Sequence, residues 1–261
     1  MTDKGKFFAK FKFDQSKAGF VGIEREQFIL DRTTRSIIPI VHQYLKHIQS
    51  LDNAIDQNRF QFGYELSACQ LESKIGPCSL GKIGQWLKES DEILESIDGE
   101  LGLSRMHIEL APESIPLDIY PDPTGRYQKI TKNMPREILA AACRVAGTHI
   151  HIGMPDMETA ISVYNKVIAH TDKLIEMGDL SLGKRMELYR VMAPRYYPKT
   201  IASTDELYRQ ARAFGFADDP RKCWTLIRIS VHGTIEFRMF GATESIGQIV
   251  EWASRCYTLC F

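Results

Sequence analysis

Four short stretches of this 261-residue chain carry side chains that could hold cations or phosphates at alternate positions. Glu24 and Glu26 lie in GIEREQFIL, Gln70 and Glu72 in CQLESKIGPC, His149 and His151 in GTHIHIG, and Glu236 and Arg238 in GTIEFR. In an extended segment alternate side chains share a face, so each pair would present both groups on one side and apolar neighbours on the other. Two carboxylates held side by side repel each other unless a positive group lies between them. Taken alone, each stretch reads as readily as an ordinary solvated strand face, and Glu236 with Arg238 as a surface pair with cross-strand partners. The coincidence of all four is what carries weight.

Carboxylates, imidazoles and guanidiniums gathered on one sheet face suggest divalent cations beside an anionic ligand. A mostly oxygen donor set favours Mg²⁺ or Mn²⁺ over zinc, with a histidine tolerated. Arg238, and Arg228 on the partner strand of its hairpin, cannot ligate a cation. Their fork suits phosphate or carboxylate. Cations bridging phosphates, with arginine neutralising the transferred group, are what phosphoryl transfer requires. Glu65 lies upstream of Glu72 at an odd offset, and would reach the same face only through a bulge or turn.

The elements that must position these groups follow from periodicity. The spacing predicts helices over 36–55, 81–101, 135–146 and 244–261, and two or three more within 156–215, the last capped by Ser203 or Thr204. Extended segments are expected over 61–75, 104–110 and 147–153, with a hairpin of 224–231 and 234–240 around His232-Gly233. Residues 111–133, broken by Pro112, Pro116, Pro121, Pro123 and Gly125, read as a long functional loop. Residues 1–19 read as a loose arm or an edge strand. The expected fold class is α+β, an antiparallel sheet with helices packed on one side, in one catalytic domain spanning residues 1–261.

Composition narrows the partners. Lys+Arg and Asp+Glu both number 33, so no global field points to nucleic acid or a membrane surface. No membrane span and no signal peptide are expected, and six scattered cysteines without a CxxC pair suit reduced thiols in the cytoplasm. An exposed antiparallel edge could support a homo-oligomer.

Together, GIEREQF, CQLESKIGPC, GRYQKI with ACRVAGTHIHIGM, and CWTLIRISVHGTIEFRMF resemble, in order, the carboxylate–amine ligases related to glutamate–cysteine ligase (type 2). That family shares the glutamine synthetase and guanido kinase-like catalytic fold. The resemblance implies amide bond formation from a glutamate-like carboxylate and an amine, driven by ATP through an acyl phosphate, with ADP released. It implies that Glu24, Glu26, Glu72, Glu236 and His149 hold Mg²⁺, with Glu65 a further acidic ligand. His151 would touch the ATP phosphates, Arg238 the transferring phosphoryl group, Arg228 substrate or phosphate, and Arg126 the substrate across the loop. The segment 186–199 is compact where relatives carry a longer substrate loop, and Arg190, Arg195 and Lys199 could supply substrate charges there. Two alternatives remain: a guanidino-type small-molecule kinase on the same fold, or a relative that binds nucleotide or amino acid without turnover.

Overall fold

The computed structural model of the chain describes residues 2–51 and 55–261. Its organising element is β1 (Val21–Asp31), which is paired along both edges. On one edge runs β3 (Gln70–Cys78). On the other, β5 (Gly147–Gly153) lies beside its first half and the short β4 (Leu103–Met106) beside its second. The sheet continues outward through β2 (Phe60–Tyr64) on one side and β7 (Thr234–Gly241) and β6 (Ile227–Ile229) on the other. The order is β2-β3-β1-β5-β7-β6, and neighbouring strands are antiparallel.

The alternation seen in the sequence divides this sheet into two faces. Ile23, Ile75, Ile150, Ile152, Ile235 and Phe237 point backward and are at most 2% exposed. Burying such a side chain contributes about 1.5–3 kcal/mol, so these residues anchor the core. Over them lie α3 (Ile83–Leu101), α6 (Met157–Val167), α7 (Thr171–Gly178) and α10 (Ile246–Cys260). A bulge between the Ile150–Phe237 and Thr148–Phe240 pairs restores Phe240 to the back, where it stacks on Trp252 of α10. Gly178 permits that packing, because a Cβ there would stand 2.7 Å from the Phe240 ring.

Three further helices stand at the front, which the expectation of one-sided packing did not include: α4 (Arg126–Thr131), α5 (Arg136–Arg144) and α8 (Lys184–Met192). Residues of all three wall the front cavity. The remaining α-helices among the described residues are α1 (Asp3–Phe8), α2 (Val41–Ser50) and α9 (Thr204–Phe214).

Several expectations are corrected. Residues 3–8 form a helix capped by Thr2, neither a loose arm nor an edge strand, because Phe7 finds Tyr208 and Phe216 to bury against. The helix expected over 36–55 begins only at Val41. Ile37 is bridged to Leu30, and Pro39 disfavours helical geometry before it. Its predicted extension over 52–54 lies outside the described residues. The segment 61–75 is two strands of a hairpin, and β4 stops at Met106 instead of Leu110. Within the long loop, Gly125 in the left-handed region (φ 68°) leads into α4. Residues 156–215 hold four α-helices (α6 to α9), the last capped by the Ser203 hydroxyl. The six cysteines are free thiols. Among the described residues no helix is long and apolar enough to cross a membrane.

Candidate active site

Strand register lays the front face out in rungs. Across the first, Arg228 on β6 faces Glu236 on β7, which faces His151 on β5. Across the second, Lys74 on β3 faces Glu24 on β1, which faces His149 on β5. Across the third, Glu72 faces Glu26. Residues far apart in the chain are thereby forced together with no contribution from loops.

Side chains tie the rungs to one another. Glu24 Oε2 lies 3.4 Å from His149 Nδ1 and 3.5 Å from His151 Nε2, while its Oε1 lies 3.4 Å from the Lys74 ammonium. Lys74 also donates to Glu72 Oε2 at 2.8 Å. Arg228 Nε donates to Glu236 Oε2 at 2.7 Å, and Arg238 bonds the other oxygen of Glu236. Glu26 accepts the Gly147 N–H at 2.7 Å and has His149 Nε2 at 3.6 Å. Ligand atoms of Glu24, His151 and Glu236 all lie within 4.8 Å of one another. Among the described residues they form the only such set of three His, Cys, Asp or Glu ligands.

This trough opens into a cavity of about 1120 Å³. Glu65 lines it, because the turn between β2 and β3 reverses the chain and cancels the odd offset from Glu72. Arg126 lines it from the first turn of α4, 3.8 Å from Asp219, where Asp122 fixes the turn by accepting the Arg126 N–H at 2.7 Å and the Tyr64 hydroxyl at 2.8 Å. Glu26 lies deeper and is not part of the cavity wall. Arg190, Arg195 and Lys199 stay outside this cavity, stacked over Tyr196 and Phe214. Gln70 is consumed structurally, donating to the Val145 carbonyl at 2.7 Å.

The electrostatics of the trough are those of crowded like charges. Burial and the neighbouring Glu72 push Glu26 up to about 7, against the pull of Arg238 and Arg185. Burial and Glu26 push Glu65 up to about 7. Glu72 is driven well above the carboxylate range by burial, Glu24 and Glu65. Glu24 behaves oppositely: burial disfavours its charge, but His151, His149 and Lys74 hold it well below the ordinary value. Burial would also raise Glu236, yet Arg228 and Arg238 keep it ionised. Burial and Arg238 push His149 down to about 4, so its imidazole is neutral at pH 7. His151 is raised despite burial, because Glu24 and Glu236 favour its charged form.

Several wall residues were not singled out from the sequence. Lys74 shares the alternation of Gln70 and Glu72, so period two alone could have found it. Tyr127 follows Arg126 directly. Lys10 and Lys12 reach the rim only because α1 docks against α9 and the Lys12 N–H bonds Val231 O at 2.8 Å. Arg185 beneath Glu26 donates to the Ala146 carbonyl at 2.9 Å and the Met239 carbonyl at 3.0 Å, and no strand pattern announces it.

Comparison with known proteins places these features in context. A model of glutamate-cysteine ligase family 2 matches residues 20–175. Proteins provisionally named glutamate–cysteine ligase 2 from Bradyrhizobium sp. (strain ORS 278) and Roseiflexus sp. (strain RS-1) are 21% and 24% identical to it. Those matches cover 89% and 90% of this chain, and 59% and 64% of the relatives. The chain therefore spans about three fifths of the length of these curated relatives. Among solved structures, a bifunctional glutathione synthetase from Pasteurella multocida has a similar fold. Its TM-score is 0.57 at 12% identity, covering 99% of this chain and 40% of that one.

Proposed function

The chain belongs to glutamate–cysteine ligase family 2, and from that premise we propose that it is a Mg²⁺- and ATP-dependent carboxylate–amine ligase. The γ-phosphoryl group of ATP passes to a substrate carboxylate, giving an acyl phosphate and ADP. An amine then attacks the acyl carbon, the amide C–N bond forms, the C–O bond to phosphate breaks, and the amine's proton leaves to solvent. The observation that carries this reading is the convergence of Glu24, His151 and Glu236 within 4.8 Å, flanked by Arg228 and Arg238, on the wall of a cavity large enough for two substrates.

The donor set fits a divalent cation. His151 Nε2 is a buried nitrogen without a hydrogen-bond partner beside two carboxylates, and the raised Glu26, Glu65 and Glu72 are groups whose charge a cation would relieve. Glu24, Glu236 and His151 would hold the ion directly, with Glu26, Glu65, Glu72 and His149 shaping the field around it. Mg²⁺ or Mn²⁺ bound there would screen the phosphates' negative charge. With its proton on Nδ1, which lies 2.8 Å from Thr234 Oγ1, His151 would present Nε2 as the lone-pair donor a cation needs.

The chain's own residues do the positioning. A substrate carboxylate is already ionised at neutral pH and needs no base, so the work is alignment and charge compensation. Arg238, whose Nε is buried and unpartnered, and Arg228 each hold Glu236 with one edge and offer remaining N–H donors to transferring phosphate oxygens. The rim carries both signs, Lys12, Arg126 and Arg221 beside Asp122, Asp218 and Asp219, which suits a substrate bearing both ammonium and carboxylate, such as a glutamate-like amino acid. Residues 1–261 would act as one unit, since β6 and β7 complete the trough that β1 begins.

ADP release from Mg-ATP, measured with glutamate against a panel of amines beginning with cysteine, tests this. Turnover should require both co-substrates, and Glu24→Gln should lower kcat at least about a hundredfold. Absence of Mg-ATP binding by calorimetry together with an indifferent Glu24→Gln variant would overturn it. A stable phosphorylated product without amide would reassign the trough to a small-molecule kinase.

A further inference from the structure

Among the described residues, Lys74 is the one lysine or arginine of the trough that contacts two carboxylates from neighbouring strands. Register sets it directly opposite Glu24, and alternation sets it on the same face as Glu72. Its ammonium lies 2.8 Å from Glu72 and 3.4 Å from Glu24 Oε1. Glu24 thus divides its two oxygens: Oε1 faces Lys74, and Oε2 faces the histidines. Gly63 lies opposite Glu72 on β2, and a Cβ there would make only ordinary contacts, 3.4 Å from Glu72 Oε2 and 4.0 Å from Lys74 Cε. Glu72 takes no part in the set of three ligands formed by Glu24, His151 and Glu236.

We propose that Lys74 is a resident cation of the trough, filling the position between Glu24 and Glu72 that a second metal ion would otherwise take, and confining protein-bound divalent metal to Glu24, His151 and Glu236. The proposal rests on the trough being a divalent-cation site. An ammonium is a compact charge with three donors on a flexible stem, so it can neutralise two carboxylates without a fixed coordination geometry. A methionine at the same place would keep the stem and remove the charge, leaving Glu24 and Glu72 as a bidding pair of oxygen ligands for a hard cation.

Titration of the intact chain with Mn²⁺ alone, without nucleotide, and with free Mn²⁺ read by electron paramagnetic resonance, decides it. The wild type should bind one ion and Lys74→Met two. Lys74→Arg, which keeps the charge, should remain at one. Adding Glu72→Gln to Lys74→Met should return the count to one. Thermal unfolding should show a larger Mn²⁺-dependent rise in Tm for Lys74→Met than for wild type, and Lys74→Gln serves if the methionine variant does not fold. Two ions in the wild type, or one in both neutral variants, overturns the role of Lys74 while leaving the metal site intact. No ion bound to any of these proteins overturns the metal site and this proposal together.

Discussion

Consecutive residues of β1 meet opposite fates. Arg25 points backward and is 1% exposed, yet its guanidinium donates to Asp91 at 2.8 Å and lies 3.2 Å from His107 Nδ1. Beside it, Arg105 donates to Asp98 at 2.8 Å and to Gln27 at 3.0 Å, and the Tyr44 hydroxyl donates to the other oxygen of Asp98 at 2.8 Å. On the opposite face, Glu24 and Glu26 meet Glu65 and Glu72, with Lys74 as the counter-ion shared by Glu24 and Glu72. Both faces bury charge, but only the back face balances it. A paired network needs nothing from outside, whereas crowded carboxylates are stable only if a cation or a proton joins them. Imbalance, and not burial, distinguishes the site from the scaffold.

The strongest way to break this contrast is to unbalance the back. Arg105→Ala would strand the buried Asp98 carboxylate and should cost about 3–5 kcal/mol in urea-induced unfolding. A loss below about 1 kcal/mol would mean that the back-face network is solvated and that the two faces differ less than their geometry states.

The front should respond with the reverse sign. Glu26, with its folded pKa raised to about 7, keeps its proton in the folded state between pH 4.5 and 7. Its contribution is therefore full at low pH and lost as pH rises through 7. In chelator-treated protein, Glu26→Gln should raise stability by about 2–3 kcal/mol at pH 8, and by little at pH 4.5. The amide oxygen can still accept the Gly147 N–H, so destabilisation at pH 8 would contradict an overcrowded trough.

The smallest effect concerns His107, pushed down to about 3 by burial and by Arg25 and Arg105, with Asp91 opposing. A depressed histidine contributes stability above the unfolded pKa of about 6.5 and loses it as pH falls toward 3. Between pH 6.5 and 5.5 the wild type should lose about 1 kcal/mol more than His107→Asn. Equal slopes would show that His107 is protonated in the folded protein.

Much of the trough was legible because strand period and motif order are local properties. Glu24, Glu72, His151, Glu236 and Arg238 could be placed on one face from alternation alone. Lys74 obeys the same alternation, but a lysine offers a cation no ligand atom, so its type carries no metal-site signal. Glu65 could not be decided from spacing, since only the hairpin turn before β3 brings it round. Lys10 and Lys12 had no signal at all: their place depends on Phe7 finding its packing partners around α9.

The amino-acid sequence by itself determined the apolar back face, the polar front face and the chemical types offered there, because a side chain's direction on a strand follows from its position in the chain. Only the tertiary structure decided which strands are neighbours, and hence that His151 faces Glu236 while Glu24 faces both Lys74 and His149. Pairing between distant segments is set by helix packing and register across the whole sheet, and no local pattern contains it. The same holds for charge: that Arg25 is neutralised by Asp91 and His107 made neutral, while Glu26 is left facing Glu72, is a consequence of which helix covers which face.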